Sequence, residues 1–172
     1  PLQCLAGVRH SPDACWISGR PHEDEVVLHD ESAFDAPAVG DKLLDVGTGT
    51  GILLIVGAKL GASRVWGIDI DGVAVKIATQ NLIRNRIDPQ IYRMQTGSIN
   101  SIKQELFHII VANIISETII SILDPVAEKL SPEGLFICSG IAELSTDSVA
   151  NEIQARNFDI IESRKKENWV AI

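Results

Sequence analysis

The sequence contains little cysteine and no apolar run long enough to cross a bilayer. Its three cysteines, Cys4, Cys15 and Cys138, form no CxxC pair, a pattern typical of free thiols in a reducing compartment. Lys59 and Asp69 interrupt the longest apolar stretches, and the first residues lack the charged-then-apolar pattern of a secretory signal. We therefore expect a cytoplasmic protein that does not insert into a membrane.

A surplus of basic charge is also absent, since 15 Lys and Arg stand against 23 Asp and Glu and the net charge is −8. Nucleic acids require a basic footprint, so direct binding of DNA or RNA is not expected. The acidic balance instead suits a basic protein partner or a cationic small ligand. His22 and His29 lie in an acidic segment, but their spacing matches no metal-ligand pattern, and no metal site is predicted.

From residue 41 onward, short apolar runs alternate with stretches that have helical periodicity. This alternation predicts a doubly wound, Rossmann-like α/β fold with a mostly parallel, seven-stranded sheet covered by helices on both faces. The expected strands are 42–47, 64–70, 90–99, 107–115, 134–141 and a closing pair within 158–172. The expected helices are 52–61, 71–85, 116–130 and 145–157. Asp71 is expected to cap the second helix, and Pro125 to kink or break the third.

Residues 1–40 form a predicted N-terminal extension, mostly loop with one possible strand at 25–29, and residues 41–172 form one predicted domain. In such sheets a ligand lies beyond the carboxyl ends of the strands. The residues that end strands are therefore the candidates for function.

The segment DVGTGTG, residues 45–51, follows the first predicted strand. Glycine lowers stability in regular structure by roughly 0.5–1 kcal/mol per residue, so three in five residues indicate that a ligand approaches the backbone closely. A dinucleotide fingerprint would require a further glycine where Ile52 stands, and the pattern is instead acid-x-G-x-G-x-G. The predicted cofactor residues of this turn are Asp45, Gly47, Thr48, Gly49 and Gly51.

The charges near this turn favour a cationic ligand. Asp45 would repel a pyrophosphate but attract S-adenosylmethionine, which carries a sulfonium and an ammonium against one carboxylate. Asp69 ends the second strand 22 residues after Gly47. A carboxylate there can accept hydrogen bonds from both ribose hydroxyls, as in NAD and S-adenosylmethionine sites alike. Ile70, the next residue, is included in the predicted cofactor site.

Asn113 ends the fourth predicted strand within the apolar segment VANII. Burial of its amide is costly unless the amide is paired, either with a local backbone group or with a ligand. Its side-chain oxygen could accept a hydrogen bond from an attacking amine and hold the nitrogen lone pair in line with a methyl group. Methyl transfer is a single displacement in which positioning supplies much of the rate, so Asn113 is the predicted catalytic residue. The sequence contains no G-x-S-x-G, H-E-x-x-H or P-loop motif for other chemistries.

These motifs give the chain a specific resemblance. Residues 41–172 resemble the catalytic domain of the PrmA family of class I methyltransferases, which methylates amino groups of large-subunit ribosomal protein eleven. The resemblance rests on LLDVGTGTGILLIVGAKLGASRVWGIDIDGVAV, VANII, LSPEGLFICSGI and WVAI, and VANI followed by SGI is its most specific part. It implies that Gly47, Asp69 and Asn113 contact S-adenosylmethionine, with Asn113 also near the acceptor amine. Where the family has an acid facing the adenine amino group, this chain has Ser98, which is expected to accept that hydrogen bond.

The resemblance implies transfer of a methyl group to a protein amine, a lysine or N-terminus of a substrate such as a ribosomal protein. Three alternatives remain. A methyltransferase of a small molecule or a nucleic-acid base is one, although the base enzymes usually carry an aromatic residue that the segment after Asn113 lacks. A catalytically inactive binding module is another, favoured by the absence of the family's Gly-Thr-Gly-x-His-x-Thr-Thr segment and separate substrate domain. An NAD-dependent oxidoreductase is disfavoured by Ile52 and Asp45.

Overall fold

The computed structural model of the protein describes residues 40–172, so the possible strand at 25–29 lies outside the described residues. The strands are β1 (Lys42–Val46), β2 (Arg64–Asp69), β3 (Tyr92–Thr96), β4 (Phe107–Asn113), β5 (Leu130–Ser139), β6 (Ile141–Ala142), β7 (Arg164–Lys166) and β8 (Trp169–Ala171). The α-helices are α1 (Ile52–Lys59), α2 (Gly72–Arg84), α3 (Ser116–Lys129) and α4 (Thr146–Ala155). The predicted helices and strands within residues 41–172 are thus present, most of them shorter than expected.

The first five strands form one parallel sheet in the order β3-β2-β1-β4-β5, which confirms the α/β prediction. The strand order reverses between β1 and β4, and a crevice opens at such a switch point beyond the carboxyl ends of the strands. The remaining strands form a separate antiparallel sheet, β6-β8-β7. The expected seven-stranded sheet is therefore divided in two, because Gly140 has a φ of 82° and turns the chain at the end of β5.

The two sheets are still connected by backbone hydrogen bonds. The amide of Cys138 donates to the carbonyl of Ile172 at 2.8 Å, and the amide of Ile172 donates back to Cys138 at 2.9 Å. The final residue of the chain thus lies antiparallel beside β5. The closing pair of strands predicted within residues 158–172 is formed by β7 and β8.

Helices cover both faces of the parallel sheet. On one face Leu43 of β1 packs with Leu54 of α1 and Leu82 of α2. On the other face Leu44 of β1 packs with Val126 of α3. Because both faces are buried, the apolar residues Leu43 and Leu44 of β1 are consecutive rather than alternating with polar ones. Asp45 follows Leu43 by two residues, so its side chain lies on the face towards α1 and α2.

Two local predictions have different outcomes. Asp71 caps α2 as expected, since its Oδ1 accepts a hydrogen bond from the amide of Val73 at 2.8 Å. Helix α3, by contrast, runs unbroken through Pro125. Proline removes the donor that would bond the Ser121 carbonyl, and Ser121 is exposed, so water can satisfy that carbonyl.

None of the helices in the described part of the chain is long and apolar enough to cross a membrane.

Candidate active site

Polar side chains from four strands meet at the carboxyl edge of the parallel sheet. Val46 pairs with Ile68 and with Ala112, so the next residue on each of these strands, Gly47, Asp69 and Asn113, forms the next row across the sheet. Asn113 pairs in turn with Ser139 of β5. The side chains of Asp69, Asn113 and Ser139 share the face towards α1, on which Asp45 lies two rows lower.

The three glycines of the turn have left-handed backbone conformations, with φ values of 75° at Gly47, 54° at Gly49 and 79° at Gly51. A Cβ at Gly47 would lie 2.6 Å from Cγ2 of Ile114, and one at Gly51 would lie 2.9 Å from Cβ of Ala78 in α2. At Gly49 the nearest atom would be 3.9 Å away, so only this glycine faces open space. Gly51 therefore allows α1 and α2 to pack closely, whereas Gly49 leaves the turn accessible.

Asp69 is bonded to the backbone of the turn itself. Its Oδ2 accepts a hydrogen bond from the amide of Gly49, and its Oδ1 accepts one from the amide of Asp71, both at 2.9 Å. A carboxylate oxygen can accept more than one hydrogen bond, so acceptor capacity remains for a ligand. Sequence reasoning predicted a ligand contact here but missed this backbone contact, because it joins residues that are distant in sequence.

Directly after Asp69, at the carboxyl end of β2, the side chain of Ile70 is 82% exposed and offers an apolar surface. Ser98 is brought near the same place because the amide of Gly97 donates to the carbonyl of Asp69 at 2.8 Å. Ser98 is exposed, and its side chain makes no capping hydrogen bond to the short 3-10 helix that follows. Both predicted cofactor residues therefore lie beside Asp69.

Asp45 is far more enclosed than the sequence argument assumed. Its side chain is 1% exposed, and its Oδ2 accepts a hydrogen bond from the Thr48 hydroxyl at 2.7 Å. Burial raises the pKa of Asp45 to about 7; the Thr48 hydrogen bond opposes this shift and repulsion from Asp69 adds to it. The sequence argument assumed a permanent negative charge at Asp45, whereas the raised pKa means that this carboxyl group is partly protonated at neutral pH.

On the other side of the crevice, two buried polar atoms have no hydrogen-bond partner among the described residues. They are Nδ2 of Asn113 and Oγ of Ser139, which belong to paired residues on β4 and β5. Ser139 is only 4% exposed. Asn113 Nδ2 does not make the local backbone bond that was the alternative to a ligand. A Cβ at Gly140 would lie 2.9 Å from Asn113 Oδ1, so glycine is needed there to make room for the amide.

Sequence reasoning did not select Ser139 as a site residue. The available signal was the segment SGI at the end of β5, which contributed only to the family resemblance. Of two acids near the strand ends, Glu143 forms an ion pair with Lys165 at 2.5 Å, while Glu117 lies exposed in the first turn of α3. Within residues 40–172, no group of three His, Cys, Asp or Glu side chains could hold a metal ion.

Comparison with known proteins identifies relatives of the chain. The family model described as ribosomal protein L11 methyltransferase (PrmA) matches residues 32–172. The ribosomal protein L11 methyltransferase of Desulfosudis oleivorans is 44% identical over 137 residues, which is 78% of this chain and 45% of that protein. The protein of the same name from Desulforapulum autotrophicum is 41% identical over 133 residues, which is 77% of this chain and 44% of that protein. The chain spans about half the length of the curated relatives it matches.

A solved structure gives the same result. The crystal structure of ribosomal protein L11 methylase from Lactobacillus delbrueckii subsp. bulgaricus matches with a TM-score of 0.74 and 30% sequence identity, covering 79% of this chain and 69% of that one. Sequence and structure therefore agree, and the chain belongs to the ribosomal protein L11 methyltransferase family.

Proposed function

We propose that this chain is the catalytic domain of an S-adenosylmethionine-dependent methyltransferase. Its substrate is an amino group of ribosomal protein L11, either of a lysine or of the N-terminus. The enzyme acts in the cytoplasm. The observation that carries this proposal is the row formed by Asp69, Gly47 and Asn113 at the carboxyl edge of the sheet. Family membership supports the reaction and the substrate class.

The residues at and just after the carboxyl ends of β1 and β2 fit S-adenosylmethionine. When bound, this cofactor supplies a methyl group on a positively charged sulfur. Asp69 would accept hydrogen bonds from its ribose hydroxyls, and Gly47 and Gly49 would let the ligand approach the backbone of the turn. Ile70 would pack against the adenine ring, and the Ser98 hydroxyl would accept a hydrogen bond from the adenine amino group. The cofactor residues proposed in addition are Asp45, Thr48, Gly51 and Asn113.

Asp45 contributes to the choice of cofactor through its charge. A cation near a buried carboxyl group favours the ionised form, so a ligand with an ammonium or sulfonium group would draw the proton off Asp45. A diphosphate would favour the protonated form of Asp45 and would also be repelled by the carboxylate of Asp69. The ionisation of Asp45 therefore favours S-adenosylmethionine over NAD.

Asn113 is the proposed catalytic residue. An amine that donates N–H to Oδ1 keeps its lone pair available for the methyl group, and fixing that geometry supplies much of the rate. Nδ2 is buried, which leaves Oδ1 as the proposed contact for the substrate. No nucleophilic side chain would be needed, since the neutral amine would itself attack the methyl group and S-adenosylhomocysteine would leave with the electron pair of the broken S–C bond.

The rim of the crevice suits a basic protein. Ile115, two residues after the end of β4, is 65% exposed, and Leu144, in the short 3-10 helix after β6, is 100% exposed; both offer apolar contacts. Glu117 adds a negative charge beside them, within a chain of net charge −8. Opposite charges steer association, so a lysine-rich partner is favoured over a nucleic acid.

The test is methyl transfer from radiolabelled S-adenosylmethionine to purified ribosomal protein L11, with mass spectrometry to locate the methyl group. We expect labelling of an amine and a loss of at least 100-fold in kcat for Asn113→Ala, since positioning is worth several kcal/mol. Asn151→Ala, at an exposed position of α4, is the matched control and should keep full activity. Labelling of RNA instead of L11, or an active Asn113→Ala variant, would contradict the proposal.

A further inference from the structure

We propose that Ser139 is a positioning residue for Asn113. In the complex with the acceptor, its hydroxyl accepts a hydrogen bond from Asn113 Nδ2 and so keeps Oδ1 directed at the amine. This inference rests on the proposed function, because it assigns Ser139 a part in the same methyl transfer. It gives a function to the serine of the segment SGI, which lies at the end of β5.

The first support is that both atoms are buried and both lack a partner. Nδ2 of Asn113 has two hydrogens to donate, and Oγ of Ser139 has two lone pairs to accept them. Each is unpaired within the described residues, and an unpaired buried polar group is destabilising. These two groups are chemically complementary to each other.

The second support is that the sheet brings the two residues together. Asn113 and Ser139 pair across the parallel strands β4 and β5, so their side chains leave the same face as nearest neighbours. The amide of Ile114 donates to the Ser139 carbonyl at 3.2 Å, which holds the two backbones together just beyond the pair. The proposed hydrogen bond joins side chains of paired residues on neighbouring strands, and such hydrogen bonds often align only in the substrate complex.

The third support comes from Gly140, which lies against the other end of the amide. A Cβ there would be 2.9 Å from Asn113 Oδ1 and 2.8 Å from the carbonyl oxygen of Ile114. Gly140 thus leaves room for the oxygen, while Ser139 accepts from the nitrogen, and together they would fix which end of the amide meets the substrate. If Ser139 only filled space, alanine would serve better because it buries no unpaired hydroxyl.

The kinetic test is a double-mutant cycle of Ser139→Ala and Asn113→Ala on the full chain, with L11 as substrate. We expect Ser139→Ala to lower kcat at least tenfold while the affinity for S-adenosylhomocysteine stays unchanged. In the Asn113→Ala background the same change should have no further effect, because Ser139 acts through Asn113. Ser116→Ala, at another buried serine, is the control and should keep its kcat. Equal losses in both backgrounds would overturn the proposal.

A second readout does not depend on catalysis. The side-chain amide of Asn113, assigned by its disappearance in Asn113→Asp, is followed by NMR with S-adenosylhomocysteine and a lysine-containing L11 peptide bound. We expect slow hydrogen exchange at Nδ2 in the parent protein and faster exchange in Ser139→Ala. The same exchange rate in both would overturn the role of Ser139 even if L11 is methylated. Slow exchange that depends on Ser139, without methylation of L11, would overturn the proposed substrate instead.

Discussion

In the part of the site built on β1 and β2, the acidic side chains are already engaged with donors of the chain itself. Asp45 accepts from the Thr48 hydroxyl, and Asp69 accepts from the amides of Gly49 and Asp71. In the part built on β4 and β5, Nδ2 of Asn113 and Oγ of Ser139 have no partner among the described residues. The first part is thus formed before a ligand arrives, whereas the second has hydrogen bonds still to make.

This difference corresponds to the two ligands that the chain is proposed to bind. A preorganised cofactor site loses little conformational entropy on binding, which favours affinity. An acceptor site that completes its hydrogen bonds only with the substrate favours the reacting complex over the free protein. The predictions below separate these two behaviours, from the largest expected effect to the smallest.

Replacement of Asp69 by alanine should have the largest effect on cofactor binding. Loss of the turn contacts and of the ribose contacts is expected to weaken binding of S-adenosylhomocysteine by about 3 kcal/mol, or over 100-fold, because hydrogen bonds to charged groups contribute about 1.5–3 kcal/mol each. Isothermal titration calorimetry measures the change. Asp71→Ala is the matched control. It should lower the free energy of unfolding by about 1 kcal/mol through loss of the α2 cap, without lowering the affinity for S-adenosylhomocysteine. Equal loss of affinity in both variants would contradict a ligand role for Asp69.

Two glycine substitutions should separate the packing of the turn from its access to the ligand. Gly51→Ala places a Cβ 2.9 Å from Ala78 at a φ of 79°, and we expect a loss of about 2–3 kcal/mol in the free energy of unfolding. Gly49→Ala has open space, so its loss should be about 1 kcal/mol, from backbone strain alone. Urea denaturation measures both. The main effect of Gly49→Ala should instead be a lower affinity for S-adenosylhomocysteine. A greater loss of stability in Gly49→Ala than in Gly51→Ala would show that the packing role belongs to Gly49 rather than to Gly51.

The ionisation of Asp45 predicts a pH dependence of ligand binding. Its pKa is raised to about 7, so below pH 7 protonation competes with binding of a cationic ligand. Affinity for S-adenosylhomocysteine, which carries an ammonium group, should rise up to about tenfold per pH unit between pH 6 and 7 and level off above. Asp45→Asn should flatten this profile. A parent profile as flat as that of Asp45→Asn would show that the carboxyl group does not interact with the ligand.

The same pKa predicts a change of stability in the protein without ligand. Because burial raises the pKa of Asp45 from 3.8 to about 7, the folded state holds a proton that the unfolded state releases. Asp45 therefore stabilises the fold below about pH 4, and this stabilisation is lost as the pH rises to about 7. The difference in free energy of unfolding between the parent and Asp45→Asn, measured by urea denaturation, should change over this range. A constant difference would contradict the raised pKa.

Local patterns predicted much of the fold. The strands β1 and β4 are apolar because both faces of the sheet are covered, and Asp71 could be identified as a cap from its position before an amphipathic helix. Strand β3 ends earlier than predicted because Gly97, with a φ of 144°, turns the chain. The division into two sheets depends on Gly140, whose conformation the sequence pattern does not reveal.

For the candidate site, the sequence indicated residue types and positions but not their hydrogen bonds. Glycine spacing indicated the turn, and the strand ends indicated Asp69 and Asn113. The raised pKa of Asp45 could not be predicted, because it depends on how completely neighbouring elements bury the carboxyl group. Ser139 was missed because only the register of β4 and β5 places it beside Asn113, 26 residues earlier in the chain.

The central claim is that this crevice binds S-adenosylmethionine and S-adenosylhomocysteine, which share an ammonium group, and rejects a diphosphate. The most direct test is the melting temperature with S-adenosylhomocysteine and, separately, with NADH, for the parent chain and for Asp69→Ala. A ligand at about 100 times its dissociation constant adds roughly 2.7 kcal/mol to the free energy of unfolding, which raises the melting temperature measurably. The account predicts a rise with S-adenosylhomocysteine in the parent only, and no rise with NADH. Stabilisation by NADH, or none by S-adenosylhomocysteine, would contradict it.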